Sequence, residues 1–119
     1  KIIVISFNGD KEINNLITST IKRNNNESSN KTLNISFDTK YTKNILAKNA
    51  AGTITDYQAN VITKFNIQRK DGSENFSINE KFNFKKMTDK YEEKNYERTI
   101  KKNLADSISQ KLILRLNVN

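Results

Sequence analysis

Hydrophobic and polar residues alternate along three segments in the middle of the chain, and a period of two is typical of β-strands. The segments cover residues 31–48, 54–69 and 76–85. Because one parity of each segment is apolar and the other is polar, we expect a sheet that is covered on one side only. The apolar positions are Leu33, Ile35, Phe37, Tyr41, Ile45, Ala47, Tyr57, Ala59, Val61, Phe65, Ile67, Phe76, Ile78, Phe82 and Phe84.

Two glycine turns separate the three alternating segments. Residues 50–58 read AAGTITDYQ, in which Gly52 supplies the turn and Asp56 and Tyr57 open the next strand. The Asp-Gly pair that ends at Gly72 is a hairpin signal, because glycine adopts the positive φ that tight turns require. Short turns between successive strands predict an antiparallel meander.

The N-terminal part of the chain predicts a strand followed by a helix. Residues 2–7, IIVISF, form a continuous apolar run, which is typical of a well-covered strand. Asp10 follows an Asn-Gly break and is suited to cap a helix N-terminus. The helix is predicted to end at about Arg23, and a polar loop is predicted at residues 24–30. Its apolar positions are Ile13, Leu16, Ile17 and Ile21.

A long helix is predicted in the C-terminal part of the chain. Asp89 and Glu92 form a start that resembles a capping box. Apolar residues then recur every four positions, which predicts a helix of about 25 residues with one apolar stripe. These positions are Tyr96, Ile100, Leu104, Ile108 and Leu112.

The order of the predicted elements is β-α-β-β-β-α, which belongs to the α+β class. Each helix has one apolar stripe and the meander has one apolar face, so both helices are expected to pack on the same face of the sheet. We therefore predict a two-layer sandwich with a mostly antiparallel four-stranded sheet. With 119 residues, the chain is expected to form a single domain over residues 1–119.

Composition narrows the possible functions. The net charge of +8 favours an anionic partner such as nucleic acid, a membrane surface or a phosphorylated lipid, although lysine also serves solubility. The chain has no Cys and no His, which excludes zinc sites built on those ligands, thiol chemistry and His-dependent catalysis. Because the chain opens at Lys1, almost directly in an apolar run, we expect that an upstream segment has been removed.

The sequence shows no catalytic constellation, so we expect no enzymatic activity, no catalytic residue, no metal and no other cofactor. Its three glycines are isolated turn residues and form no phosphate-binding loop. Glu80 lies on the apolar parity of its strand. A buried carboxylate with a shifted pKa and a structural ion pair with a lysine both fit that position, and the ion pair is the commoner case.

Lysines occupy the predicted polar face and two connections. Ammonium groups spaced along one face can bind phosphates, whereas single lysines on a sheet also discourage aggregation at its edges. Aromatic residues lie on the apolar parity, away from any surface that could stack bases. The polar face carries Lys40, Lys64, Lys81 and Lys85, the turn at Gly52 is preceded by Lys43 and Lys48, and the last helix by Lys86, Lys90 and Lys94.

The element order, the G-x-x-x-D-Y-Q element and the last helix together resemble the lipopolysaccharide-assembly lipoprotein (LptE) family, over nearly the whole chain. In that family a strand opens the mature domain and a helix follows. A strand-turn-strand then carries a basic residue before a glycine and an acid-Tyr pair after it. The corresponding features here are IIVISFNGD, KEINNLITSTIK, Lys48 with Gly52, Asp56 and Tyr57, and the helix start Lys94-Asn95-Tyr96-Glu97.

The resemblance implies a domain on the periplasmic face of the outer membrane. An acylated N-terminal Cys, which this chain does not contain, would anchor it there. Its implied role is to plug and assist the LptD-type β-barrel that delivers lipopolysaccharide to the cell surface. The family's lipopolysaccharide-binding residues lie near the turn and near the last helix, which by position implies Lys43, Lys48, Lys90 and Lys94 here.

Two other functions remain open from the sequence. The order α-β-β-β-α also occurs in double-stranded-RNA-binding domains, and a charge of +8 suits a phosphate backbone. The last helix, however, has acids between the basic residues at its start, so nucleic acid is not the expected partner. The third possibility is a periplasmic interaction domain without a lipid role.

Overall fold

The computed structural model describes residues 1–25 and 31–117 and contains the elements in the predicted order. The predicted loop at residues 24–30 lies mostly outside the described residues. The last helix extends the predicted pattern to 28 residues. The elements are β1 (Ile2–Gly9), α1 (Lys11–Arg23), β2 (Leu33–Lys48), β3 (Ile54–Arg69), β4 (Gly72–Lys85) and α2 (Lys90–Asn117).

The four strands form one sheet in the order β1-β2-β3-β4. The pairs β2–β3 and β3–β4 are antiparallel, as the meander prediction requires. β1 lies parallel to β2, because α1 carries the chain back before β2 begins. The prediction of an α+β fold with a mostly antiparallel sheet is therefore confirmed, and the sheet is mixed rather than purely antiparallel.

Both helices begin at aspartate caps. Asp10 Oδ1 accepts a hydrogen bond from the Ile13 N–H at 3.0 Å, so this carboxylate satisfies one of the free donors of the first turn of α1. Asp89 Oδ1 accepts from the N–H groups of Tyr91 and Glu92 at 2.8 and 3.2 Å. The predicted starts of both helices are thus correct.

The core lies between the helices and one face of the sheet. Burying apolar side chains there is the main favourable contribution to folding, and the predicted parities supply most of the members. Thr39 and Thr63 are also buried on this face, and their hydroxyl oxygens share a hydrogen bond of 3.1 Å. The buried hydrophobic residues are Ile13, Ile17, Ile21, Ile35, Phe37, Ala59, Val61, Phe65, Ile67, Ile78, Phe84, Ile100, Leu104, Ala105, Ile108, Leu112 and Leu116.

A row of phenylalanine rings crosses all four strands on the core face. The ring centroids of Phe7 and Phe37 are 5.7 Å apart, those of Phe37 and Phe65 are 5.6 Å apart, and those of Phe65 and Phe76 are 5.4 Å apart. Each ring comes from a different strand, and the strand register places Phe65 opposite both Phe37 and Phe76. The row therefore fixes the register of the sheet through aromatic cross-strand pairs.

The expectation that β1 is well covered is wrong. Ile3, Ile5 and Phe7 are 40%, 59% and 43% exposed. Ile2 and Val4 pack against the core, so Ile3 lies on the uncovered face, and β1 is also an edge strand with a bulge between Val4 and Ser6. A run of apolar residues does not reveal where its strand lies in the sheet. The bulge is one way in which native sheets limit pairing at an open edge.

Asparagine side chains also protect the β1 edge. The Asn25 amide accepts from the Ile2 N–H at 2.7 Å and donates to the Ile2 carbonyl at 3.0 Å, as a residue of a neighbouring strand would. Asn14 Nδ2 donates to the Asn8 carbonyl at 2.9 Å. These bonds satisfy backbone groups near both ends of β1.

Two residues of the predicted apolar face are exposed. Phe82 is 45% exposed on the edge strand β4, opposite the small Ala59 of β3. Ile45 is 52% exposed on the part of β2 that approaches the hairpin turn. Alternation correctly gives the parity of a side chain, but burial also needs a helix above that position.

The molecule is long, with principal extents of 60 × 23 × 22 Å. The Lys86 N–H donates to the Thr55 carbonyl at 2.9 Å, so α2 begins at the end of the sheet that carries the β2–β3 hairpin. Ile2 pairs with Leu33 at the opposite end. The hairpin turn and the first residues of the chain are therefore at opposite ends of the long axis.

Candidate functional site

The β2–β3 turn is organised by an asparagine. Asn49 Oδ1 accepts from the N–H groups of Ala51 and Thr53, both at 3.0 Å. Gly52 has a φ of +82°, which glycine adopts readily, and its N–H donates to the Asn49 carbonyl at 3.0 Å. The prediction of a glycine turn is confirmed. The role of Asn49 was missed, although asparagine bonding to the backbone two residues on is a known turn signal.

Asp56 and Tyr57, predicted as structural residues of this turn, point to opposite faces of β3. Asp56 lies opposite Lys85 and accepts a hydrogen bond from the Thr55 hydroxyl at 2.8 Å. The Tyr57 ring lies on the core face, with its centroid 5.7 Å from that of Phe84. Tyr57 therefore extends the core toward the hairpin, while Asp56 belongs to the polar face.

Lys43 lies on the helix-covered face and is engaged in ion pairs. Its Nζ is 3.0 Å from Glu93 and 3.2 Å from Glu97, both on α2, and 4.3 Å from the Tyr57 ring centroid. Burial alone would lower the pKa of Lys43, but its hydrogen bonds to the two glutamates outweigh that effect and raise it. This lysine joins the sheet to the start of α2.

Glu93 and Glu97 complete this group. Glu93 accepts from the Met87 N–H at 2.7 Å, and Glu97 accepts from the Tyr41 hydroxyl at 2.6 Å. Burial alone would raise the pKa of Glu93, but the Met87 bond and the Lys43 cation outweigh it and hold the pKa below its usual range. Burial and then the bond to Glu97 hold the pKa of Tyr41 far above its usual range.

Acid should weaken this group, and Glu93→Gln should reveal the effect. A glutamate with a lowered folded pKa stabilises the fold fully above its unfolded pKa of about 4.3 and loses that stabilisation as pH falls through the folded value. We expect Glu93→Gln to cost about 1–3 kcal/mol at pH 7, because it removes a charged hydrogen-bond acceptor, and to flatten the acid limb of stability against pH. Urea unfolding between pH 7 and pH 3 measures both effects.

The neighbouring Glu92 provides the control for this test. Glu92 is exposed, and among the described residues its side chain forms no ion pair. Glu92→Gln should leave both the stability at pH 7 and the shape of the acid limb unchanged. Parallel pH profiles for the wild type and Glu93→Gln would show that Glu93 does not carry the predicted stabilisation.

Lys101 forms a second connection between the helices and β2. Its Nζ is 2.9 Å from Asp10 and 3.3 Å from Glu12, and 4.6 Å from the Tyr41 ring centroid. Burial alone would lower the pKa of Lys101, but the two carboxylates raise it. The residue that caps α1 is thereby held against α2.

Glu80 forms a structural ion pair. Its Oε1 is 2.5 Å from Lys111 Nζ and accepts from the Ser107 hydroxyl at 2.8 Å. The Lys111 hydrogen bond, helped by Ser107, lowers the pKa of Glu80 despite its burial. A lysine holds this carboxylate in its charged form, and the pair joins β4 to α2. Glu80 therefore forms the structural ion pair, the commoner of the two possibilities that the sequence left open.

The other three predicted ligand residues, Lys48, Lys90 and Lys94, are exposed. Among the described residues none of their ammonium groups forms an ion pair. Lys48 precedes the hairpin turn and the other two lie on the first turns of α2, so all three are at the same end of the molecule. Exposed apolar side chains lie at this end too: Ile45, Leu46 and Tyr91 are 52%, 48% and 74% exposed.

We call this set of six residues the hairpin-end surface. It combines unpaired cations with uncovered apolar side chains. The chain carries no acid between residues 39 and 55, and on α2 the exposed Glu92 lies between Lys90 and Lys94. A ligand with anionic groups and an apolar part would be complementary to both features. The structure therefore brings three of the four predicted lysines to one surface, while the fourth, the half-buried Lys43, joins β2 to α2 through its ion pairs.

The polar face of the sheet is a ladder of amide and hydroxyl side chains. Gln58 bonds Asn83 at 3.0 Å and Asn66 bonds Asn75 at 2.7 Å across neighbouring strands. The four lysines predicted on this face are exposed, as expected from their parity: Lys40, Lys64, Lys81 and Lys85.

Within residues 1–25 and 31–117, no group of three or more acidic side chains is placed to hold a metal ion. Neither described helix has an apolar stretch long enough to cross a membrane. The hairpin-end surface is the candidate functional site, because it contains three of the four lysines predicted as ligand residues.

The arrangement of this sheet and these helices defines a fold that occurs in lipoproteins of known structure. The chain is similar to rare lipoprotein B from Shewanella oneidensis, with a TM-score of 0.67 and 15% identity over 97% of this chain and 98% of that chain. It is also similar to a minor lipoprotein from Acinetobacter baumannii, with a TM-score of 0.57 and 11% identity over 90% and 91% of the two chains.

A third similar structure is the uncharacterized lipoprotein B from Nitrosomonas europaea, with a TM-score of 0.58 and 12% identity over 92% of this chain and 79% of that chain. Comparison with protein-family models finds no match, and neither does comparison with curated protein sequences. At identities this low, the structural similarity establishes a shared fold and does not by itself assign a function.

Proposed function

We propose that the chain is the periplasmic domain of an outer-membrane lipoprotein that binds lipopolysaccharide and assists its delivery by an LptD-type β-barrel. The observation that carries the proposal is the hairpin-end surface, where unpaired lysines and exposed apolar residues lie together. Lipopolysaccharide presents phosphates and acyl chains in one molecule. The role is one of binding and assembly, without catalysis.

The fold supports this proposal. Rare lipoprotein B belongs to the LptE family, which the turn element and the last helix of this chain resemble. The similarity to the Shewanella oneidensis protein extends over nearly the full length of both chains. The strands and helices of this chain are therefore arranged as they are in a lipoprotein of known structure.

The shape of the molecule fits the proposed partner and location. An anchor attached upstream of Lys1 would hold the end of the sheet that is opposite the hairpin. The hairpin-end surface would then lie several tens of ångströms from the anchor, since a 16-residue strand spans about 50 Å. A protein of this length could enter a barrel with its hairpin end leading, and so act as a plug.

The test of the proposal is a variant that removes the three unpaired lysines of the hairpin-end surface. Lys48→Gln, Lys90→Gln and Lys94→Gln, combined, should weaken the binding of purified lipopolysaccharide about tenfold at low salt, because exposed charge contacts contribute up to about 1 kcal/mol each. Lys43 stays unchanged, since its loss would disturb the core. Isothermal titration calorimetry measures the affinity.

The control variant removes three positive charges from the polar face of the sheet, away from the hairpin-end surface. Lys40→Gln, Lys64→Gln and Lys81→Gln, combined, should leave lipopolysaccharide binding within about twofold of wild type. Undiminished binding by the hairpin-end variant would overturn the proposal, and equal weakening by both variants would show a general charge effect. A parallel titration with duplex RNA distinguishes the nucleic-acid alternative, which predicts tight binding that falls steeply with salt.

A further inference from the structure

The basic residues of α2 divide into two groups according to whether they form ion pairs. Lys101, Lys111 and Arg115 pair with acids of α1 or β4. Within the described residues, Lys90, Lys94, Arg98 and Lys102 form no ion pair, and all four are exposed. The paired cations contribute to the fold, whereas the unpaired set has no structural partner.

The four unpaired cations follow a strict four-residue spacing along α2. Residues separated by four positions are neighbours on one side of a helix, so these side chains form a continuous stripe. From Lys90 to Lys102 the stripe covers roughly 18 Å, at 1.5 Å per residue. Its first half belongs to the hairpin-end surface, and its second half, Arg98 and Lys102, lies beside α1.

A groove separates α1 from α2 next to the second half of this stripe. It has a volume of about 420 Å³ and is lined by Glu12, Asn15 and Leu16 of α1 and by Arg98, Thr99 and Lys102 of α2. The accessible lining is mainly apolar. The carboxylate of Glu12 is turned to Lys101, at 3.3 Å, and so carries a partner of its own.

We infer that the α1–α2 groove binds an anionic amphiphile with a phosphate head group and a single acyl chain, the phosphate on Arg98 and Lys102 and the chain along Leu16. A guanidinium and an ammonium one helical turn apart suit a phosphate, and guanidinium can bind it through two parallel hydrogen bonds. The groove is open to solvent, so the acyl chain would lie along its surface beside Leu16 rather than be enclosed. The exposed surface of the groove is mainly carbon, from Leu16 and the stems of longer side chains, and this matches a hydrocarbon chain.

This site is separate from the proposed lipopolysaccharide site. Arg98 and Lys102 lie outside the hairpin-end surface, and none of the three lysines removed in the previous test lines the groove. The groove can therefore bind its ligand whether or not the chain binds lipopolysaccharide. The two proposals consequently fail in different experiments.

The test uses monoacyl phosphatidylglycerol below its micelle concentration as the probe, with monoacyl phosphatidylcholine and inorganic phosphate as comparison ligands. Calorimetry gives the affinity, and amide NMR shifts report where the probe binds. We expect the phosphatidylglycerol to shift the amides of α1 and α2 around Leu16 and Thr99. The choline lipid, which carries no net charge, and inorganic phosphate should each bind at least about tenfold more weakly, since each lacks one half of the complementary chemistry.

Variants assign the binding to the groove. Arg98→Gln with Lys102→Gln should weaken the binding of monoacyl phosphatidylglycerol about tenfold without affecting the fold, because both side chains are exposed and unpaired. Leu16→Gln should weaken the lipid but leave inorganic phosphate unchanged. The matched control, Lys40→Gln with Lys81→Gln on the polar sheet face, should bind the probe as wild type does.

Three outcomes would overturn the inference. They are equal binding of the anionic and choline lipids, unchanged binding by the Arg98 and Lys102 variant, and NMR shifts confined to the hairpin end. Loss of probe binding in the combined Lys48, Lys90 and Lys94 variant, with the groove variant unaffected, would place the lipid at the hairpin-end surface instead.

Discussion

Replacing Gly9 by alanine is expected to lower the free energy of unfolding by about 2–5 kcal/mol. Gly9 has a φ of +98°, and a Cβ at this position would overlap the carbonyl oxygen of Thr39 on β2. Backbone strain contributes roughly 1–2 kcal/mol and the overlap roughly 1–3 kcal/mol. The same carbonyl accepts the Asp10 N–H at 3.1 Å, so β1 cannot move away without loss of that bond. Urea unfolding measures the change.

A Gly52→Ala variant separates the cost of backbone strain from the cost of steric overlap. Gly52 has a φ of +82°, but a Cβ built there meets no atom within 4 Å. Gly52→Ala should therefore show the strain alone, about 1 kcal/mol, and no steric cost. If both variants lost the same stability, the close approach of β1 to Thr39 would contribute nothing to the cost of the Gly9 substitution.

Most elements of this fold could be predicted because each of them obeys one clear period, whereas β1 was predicted from a continuous apolar run. Alternation identified β2, β3 and β4, and four-residue spacing identified α2, because apolar side chains must share the face that is buried. The parallel pairing of β1 follows from the helix between β1 and β2. Its position at the edge does not follow, because strand order depends on the whole sheet. Consequently the exposure of Ile5 could not be read from its apolar neighbours.

The candidate site was only partly accessible from the sequence. Lys48, Lys90 and Lys94 were found through family resemblance and position, and their four-residue spacing with Arg98 was present in the sequence but not used. The parity of Lys43 placed it on the apolar face, yet its ion pair with Glu93 joins residues 50 positions apart. Which helix side chain meets which strand side chain depends on how α2 is rotated, and no local pattern encodes that rotation.

Phe65→Ala should be the most destabilising change in the aromatic row. Phe65 is 2% exposed and contacts a ring on each neighbouring strand, Phe37 and Phe76. Removing a buried phenylalanine side chain typically costs about 3–5 kcal/mol, which combines lost burial with the cavity left behind. Urea unfolding at neutral pH measures this loss directly, and an unchanged m-value shows that the denatured state is not altered.

Phe82→Ala is the control, because it removes the same side chain from a position with the same parity. Phe82 is 45% exposed on the edge strand, so its removal should cost less than about 1 kcal/mol. A large loss for Phe82 would mean that α2 covers β4 more closely than the structure shows. A small loss for Phe65 would mean that the row of rings does not hold the strands together. The expected difference between the two variants arises because a helix covers one position and leaves the other open, and alternation alone gives both positions the same prediction.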